Sequence, residues 1–408
     1  MVEPTESRGS VIRAAVIGAG QMGSGIAGVL LRAGIPTTLI DVNPAMLATA
    51  AARVDRIARH ARGGGGAEGG VAGATAPGLV LSSRLEELRE EDVVIEAVSE
   101  DEDVKTGLFR ALSDRLPGST ILASNTSTIP ITRLARAVVH PGRFAGLHFF
   151  HPVHRMDLVE VIRGERSSPE TASFLVDLGR RLGKTPIVVR DGPGFFTTRV
   201  LSAYIDQALR LVESGVPTER VDAVATAFGM PSGPIALLDL IGLDTALAIS
   251  RVMAAAFPDR FRVSPLLERL VGEGRLGRKT GVGFRSYGQE RRTSGREAPL
   301  PVPGRSTSGE TPAVTEREII DRLLLAMLLE TIRALEEGIV SCPHDADLGV
   351  VLGLGFPASR GGILAWCDAE GPAAIIDRLA PYRDLGPAFR PPGLLVRTAG
   401  RAIFHHDP

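Results

Sequence analysis

The sequence predicts an α/β unit followed by two tandem all-α regions, and three observations carry that prediction. Short apolar runs alternate with helical patterns from Val11 to about residue 190, the pattern then turns to helices alone, and a helical stretch near the C-terminus repeats an earlier one. At 408 residues the chain is also too long for one ordinary core. Hydrophobic residues make up 44% and charged residues 23%, with a formal net charge of -1, the balance of a soluble globular protein. Nothing in it attracts nucleic acid or an anionic membrane surface, and no apolar run is long enough to span a bilayer. Cys342 and Cys367 are too few for a disulfide framework and lack metal-ligand spacing, so a reducing cytoplasm is expected and no metal. The apolar N-terminal segment is not read as a secretory signal, because Arg32 and the glycine spacing within it suit a folded strand and helix.

Taken in order, "RAAVIG" is a buried strand, "MGSGIAGVLLRAG" a helix closed by Gly34, and "TTLID" a second strand. Asn43 and Pro44 then offer an N-cap and first helical residue for a helix to about Arg62. Apolar runs follow at 93–98, 120–125, 143–150, 158–162 and 186–189. Continuous apolar strands separated by helices imply a parallel sheet covered on both faces. The glycine-rich piece at 62–78 reads as a mobile loop, and residues 288–312, rich in Pro, Gly and Ser, as a disordered linker. The expected domains are therefore 1–190, a first helical domain at 191–287, the linker, and a second helical domain at 313–408. The last two share a pattern at a fixed offset of 123 residues: Arg199 with Arg322, Arg210 with Arg333, Glu213 with Glu336, Gly215 with Gly338 and Asp222 with Asp345. "FGMP" and "LGFP" then recur after a small insertion. Repeated helical modules pack against their twins, since neither buries its apolar face alone.

Gly18, Gly20 and Gly23, with Gln21 and Met22 between them, stand in "GAGQMG" between the first strand and the first helix. There glycines permit a tight turn, approach of a pyrophosphate to backbone amides, and close helix packing. The second strand ends in Asp41, eighteen residues past Gly23, where a carboxylate accepts from a ribose 2'-hydroxyl and repels a 2'-phosphate. This is the dinucleotide site of a Rossmann-type doubly wound sheet, with NAD favoured over NADP.

"GLHFFHPVHRMDLVEVI" carries three histidines in seven residues. Pro152 makes a helix through them improbable, and in an extended chain His148 and His154 point one way and His151 the other, so ligation of zinc by all three is not expected. His148 ends a strand, where open α/β sheets place their sites, and Glu160 in the next strand can return to meet it. A histidine held by a carboxylate is an acid and base pair, suited beside a nicotinamide to oxidising an alcohol.

"SNTSTIPIT", "GRFAGLHFFHPVHRMDLVEVIRG", "GKTPIVVRDGPGFF" and "RKTGVGF" together resemble the signature blocks of the L-3-hydroxyacyl-CoA dehydrogenase family, over nearly the whole chain and including the doubled helical domain of its long members. No enoyl-CoA hydratase portion precedes these blocks, so the chain looks like the dehydrogenase part alone. The resemblance implies oxidation of L-3-hydroxyacyl-CoA to 3-oxoacyl-CoA with NAD, His148 as catalytic base and Glu160 as its partner. It places Ser127 beside the substrate oxygen and the nicotinamide, and Glu100, Lys105 and Lys279 at positions that contact NAD.

The sequence departs from the family twice. Where the family reads "HFFNP" it has His151, at a cofactor-contacting position, and where the family reads "GFxxNR" it has Thr198, at a substrate-contacting one. A threonine is shorter and cannot supply an amide's donor and acceptor together. Two alternatives therefore stand beside the acyl-CoA reading: a dehydrogenase of a hydroxy acid without coenzyme A, and an NAD-binding homologue with impaired catalysis. Arg53, Arg56, Arg59 and Arg62 recur every third residue, which is more often a solvated face but can also receive the phosphates of coenzyme A. Short family members pair through their single helical domain, so the internal copy is expected to leave a monomer, with a homodimer as the alternative.

Overall fold

The computed structural model describes residues 12–59, 76–287, 314–399 and 404. The chain divides into two compact units, Met1–Asp191 and Gly192–Pro408.

The first unit is built on eight strands: β1 (Ala14–Ile17), β2 (Thr37–Ile40), β3 (Leu79–Ser82), β4 (Val93–Glu96), β5 (Ile121–Ser124), β6 (Phe144–Phe149), β7 (Leu158–Arg163) and β8 (Thr185–Arg190). They lie in the order β3-β2-β1-β4-β5-β6-β7-β8. Helices α1 (Gln21–Arg32), α2 (Pro44–Arg59), α3 (Glu102–Arg115), α4 (Ile131–Leu134) and α5 (Pro169–Arg181) connect them. Every residue of β1, β4, β5 and β6 is buried, as unbroken apolar runs between covering helices require. The strand order reverses at β1, between β2 and β4, and the crevice beyond the carboxyl ends of such strands is where ligands bind.

The expectation of a wholly parallel sheet fails at one place, where β6 and β7 run antiparallel. Only residues 150–157 join them, too few for the crossover that a parallel pair demands. The turn also removes the extended geometry assumed for the histidines: past Phe149 the chain folds back, with the amides of Arg155 and Met156 both donating to the Pro152 carbonyl. Strand β3 was not foreseen. It is a half-covered edge strand, entered through Gly78 at φ 83°, and its "LVLS" abuts the glycine-rich stretch. Most of that stretch, Arg62 included, lies outside the described residues, as do residues 288–312.

The second unit contains α6 (Thr197–Glu213), α7 (Thr218–Phe228), α8 (Pro234–Ile241), α9 (Leu243–Ala256) and α10 (Pro265–Gly272), then α11 (Glu316–Glu336), α12 (Pro343–Leu348), α13 (Ile363–Glu370), α14 (Pro372–Leu379) and α15 (Gly393–Thr398). The two long helices α6 and α11 pack on each other. Their contact is reciprocal: Arg199 donates to Glu330 at 2.6 Å, and Arg322 reaches Gln207, each pair offset by 123 residues from the other.

The pairing of Asp222 with Asp345 is overturned. Asp222 accepts the amides of Ile235 (2.8 Å) and Ala236 (3.0 Å) at the start of α8. In the copy it is Asp347 that accepts the amides of Leu364 (2.7 Å) and Ala365 (3.1 Å) at the start of α13. Two inserted residues therefore precede the aspartate, in "SCPHDAD", and one more follows it, since the offset is 125 at Asp347 and 126 at Gly355.

Candidate active site

The cofactor turn follows from β1 and α1. Gly18 takes φ 104°, and a Cβ on Gly23 would lie 1.7 Å from the Gly18 carbonyl oxygen, so both positions demand glycine. Gly20 differs: a Cβ there would meet no protein atom within 4 Å, and no side chain caps the N-terminus of α1. The N-terminus of α1 is thus left without a side-chain cap and with space beside Gly20, the arrangement that receives a diphosphate. The Asp41 carboxylate is tied to this turn, accepting from the amides of Ala19 (2.7 Å) and Asn43 (2.9 Å). Its remaining lone pairs suit ribose hydroxyls. Gln21, beside the same turn, lines a cavity described below.

The antiparallel register sets His148 directly across from Glu160. His148 Nδ1 lies 2.8 Å from Glu160 Oε2, and its Nε2 lies 3.1 Å from Ser127 Oγ. Both ring and carboxylate are buried. With Nδ1–H donating to the carboxylate, Nε2 presents a lone pair toward Ser127.

Ser127 is held in turn by Glu100. The amides of Ser127 (2.8 Å) and Thr128 (3.1 Å) and the Thr126 hydroxyl (2.6 Å) all donate to Glu100 Oε1. Burial pushes the Glu100 carboxyl up, but Lys105 and these donors outweigh it and leave it below the usual carboxylate range. The Lys105 ammonium is 1% exposed, 2.5 Å from Glu96 Oε1 and 3.3 Å from Glu100 Oε2. Glu96 also accepts from Ser124 Oγ at 2.6 Å. Glu100 and Lys105, expected as cofactor contacts, are thus joined to the Ser127 loop through a charge network whose Lys105 and Glu96 are buried while the Glu100 side chain is 40% exposed.

Sequence reading missed Glu96, though an acid inside "VVIEAV" is the kind of residue that never enters an apolar strand unpartnered. It also missed Asn125, which accepts the Phe149 amide at 2.8 Å, and Lys184, whose ammonium donates to the carbonyls of Val153 (2.5 Å) and Met156 (2.6 Å) and so pins the turn after β6. No pattern in "LGKTP" marked that lysine.

His151 and His154 do not join His148. Both line a cavity of about 550 Å³ together with Gln21, Arg53, Arg56 and Arg155, with Arg32 at its wall. The guanidinium of Arg53 also donates to Ser24 Oγ at 3.0 Å. Arg59 instead pairs with Asp55 at 2.7 Å, so two of the expected arginines face the cavity and the others present come from α1 and the β6–β7 turn. Burial, and then Arg53, hold the His151 imidazole below its usual pKa. Burial likewise lowers His154, followed by Arg155, Arg32, Lys184 and His151.

Thr198 and Lys279 belong to the second unit. Thr198 stands in the first turn of α6 and is 9% exposed, while Lys279 Nζ lies 2.5 Å from both carboxylate oxygens of Asp244.

A dinucleotide-binding sheet followed by a helical unit is the build of a nicotinamide-dependent dehydrogenase, and comparison with known proteins makes the class specific. Residues 13–192 match the NAD-binding domain of 3-hydroxyacyl-CoA dehydrogenase and residues 194–287 match its C-terminal domain. The chain belongs to the 3-hydroxyacyl-CoA dehydrogenase family, whose members are NAD-dependent. Among solved structures, a 3-hydroxybutyryl-CoA dehydrogenase from Escherichia coli K12 is 27% identical with a TM-score of 0.77, over 95% of this chain and 98% of that one. An (S)-3-hydroxybutyryl-CoA dehydrogenase from Ralstonia eutropha is 34% identical with a TM-score of 0.61, over 69% of this chain and 100% of that one. The NAD+-dependent FHMPC 5-dehydrogenase, whose substrate is a methylpyridine carboxylic acid, is 31% identical with a TM-score of 0.55, over 69% and 92%. Among the described residues no helix is long and apolar enough to cross a membrane.

Proposed function

We propose that the chain oxidises L-3-hydroxyacyl-CoA to 3-oxoacyl-CoA, with His148 as general base. The observation that carries this reading is the line Ser127–His148–Glu160, at 3.1 Å and 2.8 Å. NAD, when bound, supplies the hydride acceptor. Ser127 Oγ holds the substrate's C3 oxygen, His148 Nε2 takes the hydroxyl proton, and Glu160 fixes the tautomer and stabilises the imidazolium that results. In the reverse direction the same imidazolium returns the proton. Glu100 and Lys105 act on this line by positioning the Ser127 loop.

The arginine cavity suits the phosphates of coenzyme A. Arg32, Arg53, Arg56 and Arg155 converge on it, and arginine's planar fork matches phosphate oxygens. A second reading, a dehydrogenase of a carboxylic acid without coenzyme A, is favoured by the relative that acts on a pyridine carboxylic acid, because four arginines accept a carboxylate as well.

The deciding experiment is NADH oxidation by the purified protein with acetoacetyl-CoA, beside acetoacetate and a His148→Gln variant. Turnover with the thioester that falls on the order of 10³-fold in the variant is the expected result. Equal turnover of acetoacetate would shift the assignment to the second reading. No turnover with NADH bound would mean that His151 and Thr198 have cost the chain its chemistry.

A further inference from the structure

We infer that the cavity between α1, α2 and the β6–β7 turn binds phosphate together with a proton, taken up by His151 or His154 as the anion enters, an inference that rests on the acyl-CoA reading above for the source of the phosphate. The cavity lies wholly within the first unit.

Every charged side chain among its described lining residues is a cation. Arg32 comes from α1, Arg53 and Arg56 from α2, and Arg155 from the turn that also carries His151 and His154. Asp157 ends that turn outside the lining, and Asp55 on α2 is paired with Arg59. Lys184 adds a further positive charge behind the turn, its ammonium donating to the carbonyls of Val153 and Met156. The backbone holds these groups together. A Cβ on Gly25 would lie 2.8 Å from Val153 and one on Gly28 2.7 Å from Ile57, so α1 is seated directly on both the turn and α2.

Guanidinium groups stay charged at any working pH, which leaves the two imidazoles as the groups in the lining that can adjust. His151 is exposed and His154 half-buried, so a ligand in the cavity reaches both. In the empty cavity burial, and then the surrounding cations, hold both rings below their usual value of about 6.5. An entering phosphate monoester brings a charge of about -1.5 to -2, which favours the protonated ring. Each ring pKa is then higher with the anion bound than without it. By linkage, affinity rises as pH falls through the bound value and levels off below the empty one. His151 stands where the family pattern has asparagine, a side chain that does not titrate, so its share of this coupling is particular to the present chain.

The test is titration calorimetry of the full chain saturated with NAD+, which keeps the cofactor turn filled, near pH 7 in two buffers of unlike ionisation enthalpy. The probes are coenzyme A and inorganic pyrophosphate, and the heats give the protons taken up per probe bound. Comparison with a His151→Asn, His154→Gln double variant cancels any proton that the probe itself exchanges. We expect the parent to take up at least about half a proton more than the variant with coenzyme A, and its affinity to rise about threefold or more from pH 8 to pH 6.5. The pH series needs no variant, so it decides the matter even if the double variant fails to fold. Coenzyme A bound without the excess, or with affinity that is flat in pH, overturns the inference while leaving the acyl-CoA reading in place. An excess with pyrophosphate but no binding of coenzyme A keeps the proton-coupled site for free phosphate and sinks the acyl-CoA reading. Binding of neither probe sinks both.

Discussion

At the scale of single residues, the site depends on groups that touch no substrate. Glu100 gathers the Thr126 hydroxyl and the amides of Ser127 and Thr128 on one oxygen, which fixes where the Ser127 hydroxyl points. Its carboxyl is held below the usual value, the balance of burial against Lys105 and those donors. A carboxyl whose pKa is depressed on folding contributes stability that is present above its unfolded value, about 4.3, and is lost as pH falls through the folded value. Glu100→Gln is therefore expected to lower the melting temperature near neutral pH, and the difference from the parent to close below about pH 4. Thermal unfolding at the two pH values checks this, and a difference that stays constant would remove Glu100 from the charge network. The same variant should lower kcat more than it raises KM, since it disturbs Ser127 rather than a substrate contact.

At the scale of elements, the pattern legible in the sequence was that of long, strongly periodic or unbroken apolar segments: β1, β2 and β4 to β8, and the helices α1, α6 and α11. The glycine turn and Asp41 were legible because their spacing has one physical use, and Glu160 because a strand after a short turn must come back beside its predecessor. What stayed hidden had local signals too weak to compete. β3 is four residues at a sheet edge, Lys184 acts through carbonyls that no spacing announces, and the true partner of Asp222 was masked by a second aspartate two residues earlier. Direct caps settle that pairing, so Asp222→Ala and Asp347→Ala should each cost about 1–3 kcal/mol, and Asp345→Ala much less, by denaturant unfolding. Equal costs at 345 and 347 would refute the assignment. Helix α2 carries a separate expectation. Arg53 and Arg56 face the cavity and Arg59 is paired with Asp55, so Arg56→Ala should raise KM for acetoacetyl-CoA about tenfold but leave that for a pantetheine thioester within about twofold. Arg59→Ala should do neither, and an effect equal to that of Arg56→Ala would return the whole stripe to the solvated face.

At the scale of the whole molecule, the second unit has the contact pattern of a symmetric dimer written into one chain. In an isologous interface residue i meets j and the partner's j meets i. Arg199 meets Glu330 while Arg322, its equivalent, meets Gln207, the equivalent of Glu330. A Cβ on Gly229 would lie 2.9 Å from Pro357, and one on Gly355 would lie 2.5 Å from Pro231, the same contact made twice. Phe228 packs on Phe356 at 5.8 Å and on Trp366 at 6.1 Å, closing the seam with aromatic surface. Because one chain holds both halves, the symmetry is free to break, and it has: Arg199 is 2% exposed and bidentate on Glu337 as well as bonded to Glu330, whereas Arg322 has a neutral amide at the matching place. A charged pair on one side only cannot be copied by two identical subunits. The face of α6 that carries Arg199 and Gln207 is therefore taken by the chain's own second module, and sedimentation velocity is expected to give a monomer near 43.1 kDa across the micromolar range. Glu330→Gln should weaken this seam by about 3–5 kcal/mol, because it takes their shared buried carboxylate from Arg199, Arg260 and Arg333 and leaves Arg199 only Glu337, whereas Gln207→Glu should leave it intact. A tight dimer of the parent, or equal tolerance of the two substitutions, would mean that the internal pair does not replace a partner subunit.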